Sequence, residues 1–210
     1  MKIHIHGEDS IIVYFDTTPS PKTLAKIISY KKLLQENLGD IYKYSIPSYV
    51  SLVVFYDIGK INANSILDLL TKLGKKTLKI NNFTPKIHKI PIIYNYEYGL
   101  DLENILKKTS LKLAEFIKLH AKTYDIYSVG FLPNFAYLGN VEKSICLPRL
   151  KTPRQNICKG SVGIAGCQTG IYPQNSHAGW NIVGKTYVDL SNEEFKFCVG
   201  DKIEFFQSGG

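Results

Sequence analysis

The sequence has no apolar run long enough to span a bilayer, no C-x-x-C pair among its four cysteines, and almost no arginine. The first absence argues against a membrane-spanning helix, which needs about 20 consecutive apolar residues. Charge arrives within MKIHIHGEDS before an apolar stretch can form, so an ordinary secretory signal peptide is not expected. Cys146, Cys158, Cys167 and Cys198 show neither metal-ligand nor redox-motif spacing, and free thiols in a reduced cytoplasmic setting are the simplest expectation. Arg149 and Arg154 are the only arginines among 26 basic side chains, five residues apart and each preceded by proline. Lysine serves almost everywhere else, so these two places call for the planar guanidinium fork, which grips carboxylate or phosphate in a way lysine cannot copy. A structural ion pair pinning one loop satisfies the same pattern.

What is present suffices for a sizeable core: 210 residues, 44% of them hydrophobic, read best as two smaller domains. The net charge of +8 comes from lysines scattered along the chain, which describes a solvated surface and not a nucleic-acid-binding arm. Ile3–Ile5 and Ile11–Phe15 read as strands around the turn His6-Gly7-Glu8-Asp9. His4 and His6 share a strand face, but no further ligand stands nearby, so no metal site is expected. Ser20-Pro21 opens an amphipathic helix that runs toward Gly39; Ser51–Tyr56 is a strand; Asn62–Leu73 is a second helix with Gly74 as its stop. This order predicts a small α/β sandwich over residues 1–85. The charged stretch from Gly74 to Lys79, then Asn81-Asn82 and Pro85, has the composition of a boundary.

Beyond it, Lys86–Tyr94 reads as a strand, Asp101 as the cap of a short helix, and Leu113, Phe116, Ile117 and His120 as one helical face. From Tyr124 onward short apolar runs alternate with glycine and proline, as in an all-β module. Its densest part is KGSVGIAGCQTGIYPQNSHAGWNIVGK, residues 159–185, whose glycines rule out a helix and suit tight turns or backbone N–H groups brought close to an anion. Gly166 is followed by Cys167-Gln168 and not by Lys-Ser/Thr, so this is no Walker A loop, and no dinucleotide fingerprint fits.

The candidate binding residues are Arg149, Arg154, Gly163, Gly166, Gln168, Thr169, Tyr172 and Trp180, with Ser161 as a further donor. Phe131, Phe135 and Tyr137 offer an apolar wall or simply core. Cys167 and His177 are possible thiol and acid–base groups, and neither has a sequence partner that would make it one.

GFLPNFAYLG at residues 130–139, the two Pro-Arg pairs, GSVGIAGCQTGIYP at 160–173 and AGW at 178–180 together resemble one family over nearly the whole chain. That family contains the B subunit of the prokaryotic ATP-dependent 5-oxoprolinase, a sporulation-kinase inhibitor, and the carboxyltransferase C/D domain (subunit 1) of allophanate hydrolase and urea carboxylase. Asn134 stands where the family usually has Gly, His177-Ala178 where it has Pro-Gly, and Lys185 where it has Arg. The resemblance implies an α+β chain whose residues 86–210 form a cyclophilin-like β-barrel. It implies a protein that works with the C and A subunits of the oxoprolinase to open 5-oxoproline with ATP and Mg, with no nucleic acid and no membrane involved. It also places His120 at a histidine position of the family, leaving His120, Arg149 and Arg154 as catalytic candidates, although a histidine on an apolar helix face is more often a satisfied core residue than a catalyst. Inhibition of a sensor kinase is the alternative function, and prolyl isomerisation a third resting on fold analogy alone.

Overall fold

The computed structural model describes residues 1–75 and 84–209, in two compact units, Met1–Thr84 and Pro85–Gly210. The stretch expected to form the boundary, from residue 76 through Asn81-Asn82, lies outside the described residues.

The first unit is a four-stranded antiparallel sheet with two helices. Strands β1 (Lys2–Gly7), β2 (Ser10–Tyr14), β3 (Tyr42–Ser48) and β4 (Ser51–Tyr56) lie in the order β1-β2-β4-β3, with α1 (Pro21–Asn37) between β2 and β3 and α2 (Ala63–Lys75) after β4. The cause is the alternation of apolar residues: Leu52, Val54 and Tyr56 of β4 and Ile11 and Val13 of β2 turn to one face. There they meet Ile27, Tyr30 and Leu34 of α1 and Ile66, Leu70 and Leu73 of α2. Ser20 caps α1 by accepting from Thr23 N at 3.0 Å, and Pro21 takes the first helical position, where its missing N–H costs nothing. Gly74 does not stop α2, which continues to Lys75; a β-carbon there would collide with the Met1 side chain packed against it. Strand β3 has no counterpart in the sequence reading, because Tyr44 and Ile46 are exposed and Pro47 interrupts its apolar pattern.

In the second unit the elements are β5 (Ile87–Ile92), α3 (Leu102–Thr109), α4 (Leu113–His120), β6 (Thr123–Val129), β7 (Ala136–Gly139), β8 (Arg154–Ile157), β9 (Ser161–Ala165), β10 (Gln168–Ile171), β11 (Ser176–Ala178), β12 (Asn181–Lys185) and β13 (Lys202–Gln207). Seven strands run in the order β12-β9-β10-β7-β6-β13-β5, antiparallel except for β13 with β5. Beyond β5, Ile93 exchanges both backbone hydrogen bonds with Lys185 of β12, at 2.8 and 3.1 Å, bringing the two edges together into a nearly closed barrel. Leu138, Val162, Ile164, Ile203 and Phe205 are among the side chains that fill it.

Every residue of β9 is buried, because a second, smaller apolar cluster lies on the other side of the barrel wall. Phe135, Ile157, Tyr172, Ala178, Trp180 and Ile182 form that cluster, and it includes residues of the separate two-stranded ribbon β8–β11. This outer layer is where the candidate site is found.

Candidate functional site

A cleft of about 270 Å³ opens at the outer cluster. Phe135, Tyr172 and Trp180 are its buried wall, Tyr137 is half-buried, and Phe131, Arg149 and His177 stand exposed on its lining. The rings meet edge to face, Phe135 lying 5.1 Å from Tyr172, 5.5 Å from Trp180 and 4.9 Å from Tyr137. Burial pushes the Tyr172 hydroxyl up to about 12 and raises that of Tyr137, with the Arg149 guanidinium opposing the shift in both. Both are therefore neutral phenols at physiological pH.

Each side chain is placed by local backbone bonding. Phe131 and Asn134 hold φ of 71° and 62°, bending the chain back so that Gly130 N donates to Phe135 O at 3.0 Å. Positive φ suits Asn134, which replaces the family's glycine, and its side chain does what glycine cannot. Its Nδ2 donates to Leu190 O and Phe195 O, and its Oδ1 accepts from Phe197 N, tying the 190–197 loop to the turn. For a bulky residue such as Phe131 the same φ is a strained state, held at the cleft edge with the ring 66% exposed.

Arg149 is fixed on both flanks. Leu147 and Gly166 exchange backbone bonds, Asn181 Nδ2 donates to Pro148 O at 2.9 Å, and Leu150 N donates to Gly179 O at 2.8 Å. Among the described residues no carboxylate pairs with Arg149.

Arg154 has the opposite arrangement. Its Nη1 and Nη2 donate to the two oxygens of Asp101 at 2.9 and 2.6 Å, and Asp101 Oδ2 also accepts from Ile182 N at 2.7 Å. The fork is thus used within the fold, joining ribbon strand β8 to the start of α3 and to β12, which is the structural ion pair that the sequence pattern allows beside a binding role. Asp101 is the N-cap residue of α3, as the sequence suggests, but its carboxylate bonds Arg154 and Ile182 N and not the first turn of the helix.

His120 takes the core position that the sequence reading put beside a catalytic one. It is fully buried, away from the cleft lining, in a chain of hydrogen bonds. Thr169 Oγ1 donates to Gly163 O at 3.0 Å and so accepts from His120 Nε2 at 2.9 Å, leaving Nδ1 to accept from the Tyr94 hydroxyl at 2.8 Å. Every group is satisfied, and burial lowers the imidazole to about 3, so it stays neutral and without access to a reactant. Thr169 is fully buried in the same chain and does not reach the cleft.

Of the glycines, Gly163 makes room for Trp180, since a β-carbon would stand 3.0 Å from Trp180 Cβ, and Gly166, at φ +58°, forms the β9–β10 turn. Gln168 starts β10, paired with Ala165 and Gly139, and Ser161 is buried at the start of β9. None of these lines the cleft.

Cys167 is no free thiol: it forms a disulfide with Cys146, 21 residues away, while Cys158 and Cys198 are free and exposed. Nothing in the spacing announces the pair. It forms because the β9–β10 turn lies against the segment carrying Arg149, where Leu147 and Gly166 are already bonded.

Fold and cleft together define an α+β chain with a cyclophilin-like barrel bearing an aromatic cleft that has Arg149 on its lining. The carboxyltransferase domain, subdomain C and D, matches residues 1–196, and the chain belongs to this family. It is similar to the B subunit of 5-oxoprolinase from Escherichia coli O157:H7, 34% identical over 216 residues that cover 97% of this chain and 94% of that one. The corresponding B subunit from Bacillus subtilis is 34% identical over 179 residues, covering 76% and 73%. Among solved structures, TTHA0988 superposes with a TM-score of 0.80 at 28% identity, over 96% of this chain; the match spans 40% of the TTHA0988 chain.

Proposed function

We propose that this chain is the B-type subunit of a multisubunit ATP-dependent 5-oxoprolinase, converting 5-oxo-L-proline to L-glutamate with hydrolysis of ATP. The observation that carries the reading is the end-to-end similarity to a B subunit of that enzyme, covering 94% of the relative. The chemistry needs activation, because a lactam is a stable amide. Transfer of the terminal phosphoryl group of Mg-bound ATP to the lactam oxygen leaves a carbon open to attack by water, and the ring opens to glutamate as phosphate departs. The described residues of this chain include no phosphate cradle of the Walker type, so the reaction calls for a composite site shared with the C-type partner, and the A-type partner completes the complex. Arg149 is the side chain here with an uncommitted fork to hold substrate or phosphate. The reading places the chain in the cytoplasm, where ATP is available.

The test is reconstitution with the C and A subunits, following glutamate and ADP formed from 5-oxoproline. Turnover is expected only when all three are present. Robust turnover by this chain alone, or none by the full complex while the chain inhibits a sensor kinase, would sink the reading.

A further inference from the structure

The aromatic cleft is small and carries one arginine, whose backbone is held on both flanks, and these two facts point to the kind of ligand it suits. We infer that it binds a small ring-bearing monocarboxylate through Arg149, and that the nucleotide is held elsewhere in the complex. The inference deepens the proposed function and rests on it for naming 5-oxoproline as the carboxylate.

The volume of about 270 Å³ falls below the roughly 300–1,000 Å³ of pockets that enclose drug-sized ligands. A five-membered lactam acid fits within that space, whereas an adenine nucleotide with its phosphate tail would extend out of it into solvent. Charge gives the same answer independently. Phosphates are usually held by several backbone N–H groups at a glycine-rich loop or helix N-terminus. The glycine-dense stretch does not supply such a loop here: Gly160 N donates to Tyr172 O and Gly166 N to Leu147 O, Gly163 and Gly170 are paired across β9 and β10, and of the glycines only Gly179 is on the lining. The basic side chains on the cleft lining are Arg149 and His177. One guanidinium fork matches one carboxylate. The faces and edges of Phe135, Tyr172 and Trp180 suit a compact ring.

Trp180, the sole tryptophan, lines the cleft and supplies the readout. The purified chain is titrated with L-5-oxoproline, with pyrrole-2-carboxylate, with 2-pyrrolidinone, which lacks the carboxylate, and with Mg-ATP, following Trp180 emission. Saturable binding of 5-oxoproline is expected, with no response to 2-pyrrolidinone and no displacement by Mg-ATP. Arg149→Gln, at an exposed position, is expected to weaken that binding roughly tenfold or more with its melting temperature unchanged. Binding of pyrrole-2-carboxylate but not 5-oxoproline supports the carboxylate site and removes the oxoprolinase reading of it. Mg-ATP binding that Arg149→Gln abolishes overturns the inference and leaves the chain's assignment to the oxoprolinase complex standing. Silence with every probe, or equal affinities in Arg149→Gln, also overturns it.

Discussion

Replacing Arg154 by lysine keeps a positive charge beside Asp101 but removes one arm of the fork. Because that fork joins ribbon to barrel and contacts no cleft space, Arg154→Lys is expected to cost stability, about 1.5–3 kcal/mol for a lost charge-assisted hydrogen bond. Melting temperature should fall by several degrees while the assembled complex keeps its turnover. Normal melting with lost turnover would return Arg154 to the site. His120 gives a second test among single residues. Its folded-state value of about 3 lies below the ordinary 6.5, so between these pH values the unfolded chain binds a proton that the folded chain refuses. Stability is therefore fully present above about pH 6.5 and falls as pH drops toward 3, by up to roughly 5 kcal/mol from this group. Denaturant unfolding at a series of pH values should show a shallower acid limb in His120→Gln. Buried His88, also lowered chiefly by burial, contributes in the same direction in both proteins.

Between elements, the β9–β10 hairpin and the segment carrying Arg149 are joined twice, by the Leu147–Gly166 backbone pair and by the Cys146–Cys167 disulfide. Closing a loop of 21 residues restricts the unfolded chain and stabilises by about 3 kcal/mol in the loop-entropy picture. A dithiol reductant is expected to lower the melting temperature of the native chain and to leave Cys146→Ser/Cys167→Ser unaffected. Identical melting of the native chain in both conditions would show that the disulfide contributes nothing. The glycines of this hairpin belong to the same level of organisation. Gly170 lies where a β-carbon would meet Ala136 O at 2.8 Å, so the glycine density that suggests an anion cradle answers to close packing between barrel wall and outer aromatic layer.

Across the full chain, each unit has its own apolar cluster: Tyr30, Leu34, Leu52 and Leu70 in the first, Phe116, Leu138, Ile164 and Phe205 in the second. A unit with its own core is expected to fold alone. Residues 85–210 expressed separately are expected to melt cooperatively and to retain contact with the C-type partner through the barrel surface, whose apolar and polar groups suit an interface. Capture of that partner by residues 1–84 alone would reverse the assignment.

Local rules made part of this architecture legible before any coordinates. Periodicity places both helices of the first unit and strand β4, and Ser20-Pro21 marks the start of α1. The motifs between residues 130 and 180 carry the family, and that family's fold is the one observed. Which chemistry-bearing residue is available was settled by contacts between distant parts of the chain. Two arginines in the same Pro-Arg setting separate only because Asp101, 53 residues from Arg154, receives one fork, while backbone bonds to Gly166 and Gly179 leave the other at a cleft. His120 and Thr169 meet across 49 residues and become core, and Cys146 meets Cys167 across 21. Propensity and pattern act over a few neighbouring residues; partnership in a barrel is set by strand register, which joins residues that no local rule connects.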